Sequence, residues 1–333
     1  MKDKFVIVGH GLAGAVLAQT MIEHGQNVIV IDANMTHAAT KVSAGLINPF
    51  VGPKLNVPEN FDLYMQENHQ FFNKMEKRSG LQIIEPITLY RVFQNREQSQ
   101  KWNTLTGKYK SDSLSSSQCK KLKIVSKFGA GKTRAWKLNS LDFIRYSKKV
   151  LCAIGSYLNE VFHAEKWRSH KIIFCNGYRA STDRIFDYLP FAPAQGEVIE
   201  INSPYSINAS NGSWHINGKN ENNSIIGSSW KHESIESGPT SSGYNEILTK
   251  IDYFPGLKDQ PVVTHRSGVR SCTIDRQPIM GAHPSIKNYY LFNGFGSRGC
   301  TTISLCAKRF TDYLLNKGTL PPNLDLMRFT NHK

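Results

Sequence analysis

The apolar positions of this chain fall into two periodicities. Phe5-Val6-Ile7-Val8 is an uninterrupted, β-branched run, the pattern of a parallel strand buried on both faces. A helical pattern follows from about Leu12 to His24, turning Val16, Leu17 and Met21 inward, and Gly25 ends it. Val28-Ile29-Val30-Ile31 repeats the buried-strand pattern. The spacing of Tyr64, Asn68, Phe71, Phe72 and Met75 predicts a helix from Phe61 to about Ser79, stopped by Gly80. Leu81 to Glu85 and Ile87 to Phe93 predict two strands, Glu97 to Leu105 a helix, and Ser111 to Ser117 a surface loop. Ala135 to Leu138 predicts a strand, followed by a helix capped by Asn139 or Ser140. Lys171 to Cys175 predicts a strand that ends in a turn at Gly177 and suits a return to the first sheet. From Glu197 to Gly227 short apolar runs alternate with the hairpin signals Asn211-Gly212 and Asn217-Gly218, predicting a β meander. A helix over Tyr244 to Tyr253, a strand over Tyr289 to Phe292 and a helix from about Thr301 to Leu315 complete the pattern. Tyr205, Trp214 and Trp230 are expected to pack in the core or on the sheet.

The polar and glycine positions between the first elements carry chemistry. Gly9, Gly11 and Gly14 stand in G-x-G-x-x-G spacing between strand and helix, and Asp32 ends the second strand. Gly9 permits the turn, Gly11 lets the backbone approach a pyrophosphate, and Gly14 brings helix and strand together. The pyrophosphate lies on the helix N-terminus, formed by Leu12 and Ala13, while Asp32 and Ala33 meet a ribose. Strand, glycines, helix, strand and acid in that order define a Rossmann-like dinucleotide-binding unit of an α/β chain (α+β overall), without saying which dinucleotide. The loop from Ala38 to Pro49, with Ser43, Ala44 and Gly45, is placed to pass near the cofactor. A second strand–glycine-loop–helix unit carries Gly294, Gly296, Ser297, Arg298 and Gly299. An NAD-dependent dehydrogenase would leave that second unit unexplained.

At 333 residues the chain suits one large domain or two ordinary ones. The net charge of +15 fits nucleic acid, an anionic membrane surface or an acidic substrate, or else a solvated basic surface. The six cysteines form no C-x-x-C pair and no zinc spacing, so reduced thiols, a cytoplasmic location and no metal are expected. The N-terminal apolar stretch reads as strand and helix rather than a signal peptide, and no run is long enough to span a bilayer.

The blocks VGHGLAG (8–14), FCNGYRAS (174–181), GVRSCTIDRQPIMG (268–281) and GFGSRGCTTISLCA (294–307) resemble the FAD-dependent D-amino-acid oxidase superfamily. Within it they resemble the glycine and sarcosine oxidase branch, and most of all the FAD-containing domain of the bifunctional enzyme that makes 5-methylaminomethyl-2-thiouridine in tRNA. The resemblance is loose across about 50–150 and 200–260. It implies a discontinuous FAD/NAD(P)-binding domain of residues 1–60, 150–195 and 265–333, with a β-rich substrate domain of 61–149 and 196–264 inserted. It implies FAD held by both glycine units and Gly177, and oxidation of a C–N bond by hydride transfer to the flavin, with oxygen as electron acceptor. Arg270, five residues before Asp275, matches the arginine that holds the substrate carboxylate, though it could instead pair with a structural acid. Arg298 is a second candidate for the substrate or flavin edge, or a loop cap. Sarcosine oxidases attach FAD through a cysteine where Gly268 stands, so non-covalent FAD is expected. The chain begins at the FAD fingerprint, so the methyltransferase activity of the bifunctional enzyme is not expected. The substrate is a free amino acid or amine such as glycine or sarcosine, or the carboxymethylaminomethyl group of tRNA wobble uridine, itself an N-substituted glycine. A non-catalytic flavin-binding subunit is the alternative of another class.

Overall fold

The computed structural model describes residues 4–105, 107–218 and 222–330. In chain order the strands are β1 (Phe5–Val8), β2 (Val28–Ile31), β3 (Leu46–Ile47), β4 (Ile84–Val92), β5 (Lys110–Leu114), β6 (Ala130–Leu138), β7 (Tyr157–Leu158) and β8 (Lys171–Phe174). They continue with β9 (Ala194–Asn202), β10 (Asn208–Ser210), β11 (Trp214–Asn217), β12 (Asn223–Gly227), β13 (Val262–Arg270), β14 (Ile279–Ala282) and β15 (Tyr289–Asn293). The helices are α1 (Leu12–Glu23), α2 (Phe61–Ser79), α3 (Arg96–Thr104), α4 (Ser116–Lys121), α5 (Ser140–Ala153), α6 (Ser241–Lys250) and α7 (Gly299–Leu314).

Two sheets organise the chain. The first has six strands in the order β14-β15-β8-β1-β2-β7, with β1, β2, β7, β8 and β15 parallel. Phe5 and Ile7 of β1 enter the core with α1, α2, α5 and α7, while Val6 enters a second core on the opposite face. Burial on both faces explains why these strands carry unbroken apolar runs. The chain leaves β1 for β2 on one side and returns to β8 on the other, so the C-terminal end of β1 is a switch point, where open α/β sheets form their ligand crevice.

The second sheet has nine strands, β13-β9-β12-β11-β10-β4-β6-β3 with β5 against β6. The expected meander from Glu197 to Gly227 is shorter: β10, β11 and β12 form it through the two hairpins, while β9 pairs with β12 rather than with β10, and Ile247 of α6 packs in the core on one face. The sheets divide the chain more finely than the expected boundaries. β3, inside 1–60, and the 265–270 part of β13 belong to the second sheet. α2, inside 61–149, and α5, which begins there and crosses its end, bury Phe71, Phe72 and Phe143 in the core of the first.

Three local expectations change. The two strands expected around Pro86 are one, because Pro86 opposes Trp136 in an unbroken register with β6. The expected loop from Ser111 to Ser117 contains β5 and the start of α4, whose cap is a reciprocal pair between Ser115 and Gln118. The strand expected at Ala135 starts at Ala130, since Gly131 leaves room for the buried Trp102.

Candidate active site

A cavity of about 620 Å³ opens at the switch point and runs between the two sheets. From the first sheet it takes Gly9, Gly11, Leu12, Ala13, Asp32 and Ala33, from the 38–46 loop Ser43, Ala44 and Gly45, and from the loop after β8 Gly177. From the second sheet it takes Gly196, Trp214, Ser228 and Arg270, and from the second glycine loop Gly296, Ser297 and Gly299. Residues from both ends of the chain thus meet around one space.

The first glycine unit is built for close approach. A Cβ on Gly14 would stand 1.9 Å from the Gly9 carbonyl oxygen, so Gly14 joins helix to strand without lining the cavity. Gly11 is the N-cap of α1 and offers no side-chain cap. Leu12 N–H donates to Thr40 Oγ1 at 3.2 Å, while the next amides have no acceptor inside the helix. That is the fit an anionic pyrophosphate requires. Asp32 Oδ1 accepts from His10 N–H at 3.1 Å and Oδ2 from the Tyr157 hydroxyl at 3.1 Å. A carboxylate has further lone pairs for ribose hydroxyls. His10 is buried, and Ser147 Oγ lies 3.1 Å from its Nε2. Burial lowers its pKa to about 4, against the attraction of Asp32, so the imidazole is neutral.

The 37–45 loop is clamped between the sheets. Val269 N–H donates to His37 O, and Gly45, with φ +71°, lies against the Leu138 carbonyl. Gly268 is where the loop crosses β13: a Cβ there would meet Val42 Cγ2 at 2.6 Å. A cysteine at 268 would displace the loop.

Arg270 ends β13 beside Ala194 of β9. Its Nη2 donates to Ser228 Oγ at 2.8 Å, and its guanidinium lies 4.7 Å from the Trp230 ring centroid. Nη1 is out of reach of solvent and has no hydrogen-bond partner among the described residues, and no carboxylate there lies within 4 Å. Burial lowers its pKa, and the nearby Cys272 opposes the shift. A guanidinium that lines a cavity with no carboxylate beside it among the described residues favours an anion there. Gly196 leaves the space it occupies, since a Cβ there would lie 2.1 Å from both terminal nitrogens.

Two candidates fall elsewhere. Arg298 is the N-cap of α7 and faces a separate cavity of about 140 Å³ with Tyr64 and Arg276, not the large one. Gly294, with φ +77°, packs against Thr273 and shapes the turn without lining the large cavity. Other participants were missed from sequence: Ser228, Trp230, Gly196 and Tyr157. An isolated glycine inside a strand, as Gly196 is in β9, signals close approach and could have marked the spot. Tyr205 lies in the core and Trp214 packs on the second sheet with Leu89, Ala135 and Ile216 while also lining the cavity, whereas Trp230 covers Arg270 with 45% of its surface exposed.

A switch-point crevice with a glycine-rich helix N-terminus, an acid at the end of β2 and a second sheet over its far end is the arrangement of a nucleotide-binding protein. The chain belongs to the FAD dependent oxidoreductase family, DAO, which matches residues 4–313, and it is an FAD-dependent enzyme. It is 23% identical to the uncharacterized oxidoreductase YurR of Bacillus subtilis, over 95% of each chain. Its fold is similar to glycine oxidase from Geobacillus kaustophilus, with a TM-score of 0.79, 16% identity and 98% of each chain covered. It is also similar to iminodiacetate oxidase from Chelativorans sp. BNC1, with a TM-score of 0.76 and 17% identity over 96% of this chain and 97% of that one.

Proposed function

We propose that the protein oxidises the C–N bond of an amino acid or N-substituted glycine, with non-covalent FAD, and that Arg270 binds the substrate carboxylate. The guanidinium of Arg270, lining the cavity with no carboxylate partner among the described residues, carries this reading. The family likeness to glycine oxidase and iminodiacetate oxidase folds supports it. Gly9, Gly11, Ala13 and Asp32 would hold the nucleotide, and Ser43 to Gly45 with Gly296 and Ser297 its flavin end. FAD, when bound, supplies the two-electron oxidation of the amine.

The chain supplies orientation. Ser228 and Trp230 hold the guanidinium plane, so a carboxylate received there fixes the direction of the adjoining C–N bond. The C=N product then hydrolyses to an amine and a glyoxylate-type acid, and oxygen serves as the final electron acceptor. Within this class we propose the carboxymethylaminomethyl group of tRNA wobble uridine, which presents the same carboxylate and secondary amine as a free N-substituted glycine. The +15 charge supports it.

Anaerobic titration with glycine, sarcosine, iminodiacetate, D-amino acids and carboxymethylaminomethyl-modified tRNA tests this by bleaching of the flavin absorbance. Arg270→Ala is expected to retain FAD and lose about two to three orders of magnitude in kcat/KM for carboxylate substrates. Unchanged kinetics in that variant would remove Arg270 from the role.

A further inference from the structure

The excess charge is not spread evenly. Residues 101–137 hold ten of the chain's 41 lysines and arginines and one of its 26 acids, Asp112. This stretch contains β5, α4 and β6, at one edge of the second sheet. Lys120, Lys121, Lys123 and Lys127 are exposed around α4 and the turn into β6. Ser116 Oγ, donating to Lys127 O, ties the two sides of the turn together, and Val125 N–H donates to Tyr253 O beneath them. Among the described residues none of these four lysines has an ion-pair partner, although Asp252 lies next to Tyr253. Lys132 and Arg134 continue the charge along β6 at i, i+2 spacing, which places both on one face of the strand. Exposed Ser115, Ser117 and Gln118 stand among the lysines.

The position of this edge relative to the site selects its partner. At its other end β6 reaches Leu138, whose N–H donates to the carbonyl of cavity residue Gly45. The strand covers about 26 Å at ~3.3 Å per residue. A free amino acid on Arg270 cannot touch the lysines. Arg270 stands on β13, at the other edge of this sheet, so a partner that touches both is a macromolecule, and a folded nucleic acid, with about 34 Å in each duplex turn, has that reach. Lysines interleaved with serine and glutamine are the side chains that bind phosphate oxygens without reading sequence.

We propose that the edge formed by α4 and the turn into β6, with Lys120, Lys121, Lys123 and Lys127 and continued by Lys132 and Arg134, docks the phosphate backbone of an RNA whose modified base reaches Arg270. This rests on the function proposed above. The test is the holoenzyme carrying Lys120→Glu, Lys121→Glu, Lys123→Glu and Lys127→Glu. A control of equal net charge carries Lys77→Glu, Arg168→Glu, Lys287→Glu and Lys317→Glu. Binding of unmodified bulk tRNA and of phosphatidylserine vesicles is measured from 0.05 to 0.3 M salt, beside oxidation of a free N-substituted glycine.

The edge variant is expected to bind tRNA about 10²–10³-fold more weakly at 0.1 M salt, with the slope of log affinity against log salt reduced by about three. The control should fall by less than tenfold, and free-substrate kcat/KM should be unchanged in both. Equal loss in the two variants, undiminished tRNA binding in the edge variant, or edge-dependent binding to vesicles but not to tRNA would overturn the proposal. Edge-dependent tRNA binding without oxidation of its carboxymethylaminomethyl group would sustain the docking surface while refuting that substrate.

Discussion

Arg270 shows how one side chain is prepared by residues far from it in sequence. Gly196 clears the space, Ser228 takes one nitrogen, and the Trp230 ring takes the face of the guanidinium. Trp230→Ala removes a cation–π contact worth about 1–2 kcal/mol when desolvated and lets the guanidinium swing. KM for the carboxylate substrate is expected to rise roughly 5- to 30-fold with a smaller change in kcat, and Trp230→Phe should recover part of it; steady-state kinetics checks this. Two histidines set an acid limit. His10 and His215 are buried, and burial lowers each pKa from 6.5 to about 4. Hydrogen bonds match the neutral form of His215, with Nδ1 on Ile207 O and Nε2 on Ser203 Oγ. Between pH 6.5 and 4 the unfolded chain binds these protons and the folded chain does not, so stability falls as pH falls through that window. The loss is up to about 3 kcal/mol per histidine. Urea unfolding at pH 7 and pH 4.5 should show it, with a smaller difference in His215→Asn. The sequence pointed to Arg270 through a resemblance in its flanking block. Its partners were not legible, because strand pairing and the chain after β12 bring them together, and no local spacing encodes that.

At the level of elements, the first βαβ unit was almost wholly legible. Strand, glycine turn, helix and acid are local in sequence, and each is a response to a nearby steric or hydrogen-bonding demand. Its glycines nevertheless separate into two kinds. Gly14→Ala would drive a Cβ into the Gly9 carbonyl, forcing α1 off β1. It is expected to lose both FAD and about 1–3 kcal/mol of stability. At Gly11, with φ −73°, the nearest atom to a new Cβ is Thr40 Oγ1 at 3.4 Å. Gly11→Ala should therefore keep the melting temperature of the FAD-free protein and weaken FAD binding, as measured by flavin fluorescence on titration. The second sheet was less legible. Pro86 read as a break and the serine-rich stretch as a loop, yet register with β6 overrides both. Strand propensity depends on the partner, which the local sequence does not name.

For the whole molecule, the cavity lies between two sheets that the chain enters and leaves repeatedly. A ligand bound there joins the N-terminal glycine unit, the second sheet and the loop before α7. FAD added to deflavinated protein at 100 times its Kd stabilises by about 2.7 kcal/mol. At ~2.1 cal/mol/K per residue this raises Tm by about 4 °C in a scanning calorimeter. Asp32→Ala should shrink that rise by weakening the nucleotide. Among the described residues no helix is long and apolar enough to cross a membrane. The dinucleotide unit, the buried parallel strands, the two hairpins of β10 to β12 and the excess of positive charge were written in the chain's local pattern. These depend on contacts within a few turns or on composition alone. Long-range packing put Arg298 on the small cavity and Arg270 on the large one, laid Trp230 over a guanidinium, and set the lysine-rich stretch at one edge of the second sheet. Each of these is a juxtaposition of segments up to hundreds of residues apart. Strand order and burial choose it, and neither is written in the spacing of neighbouring residues.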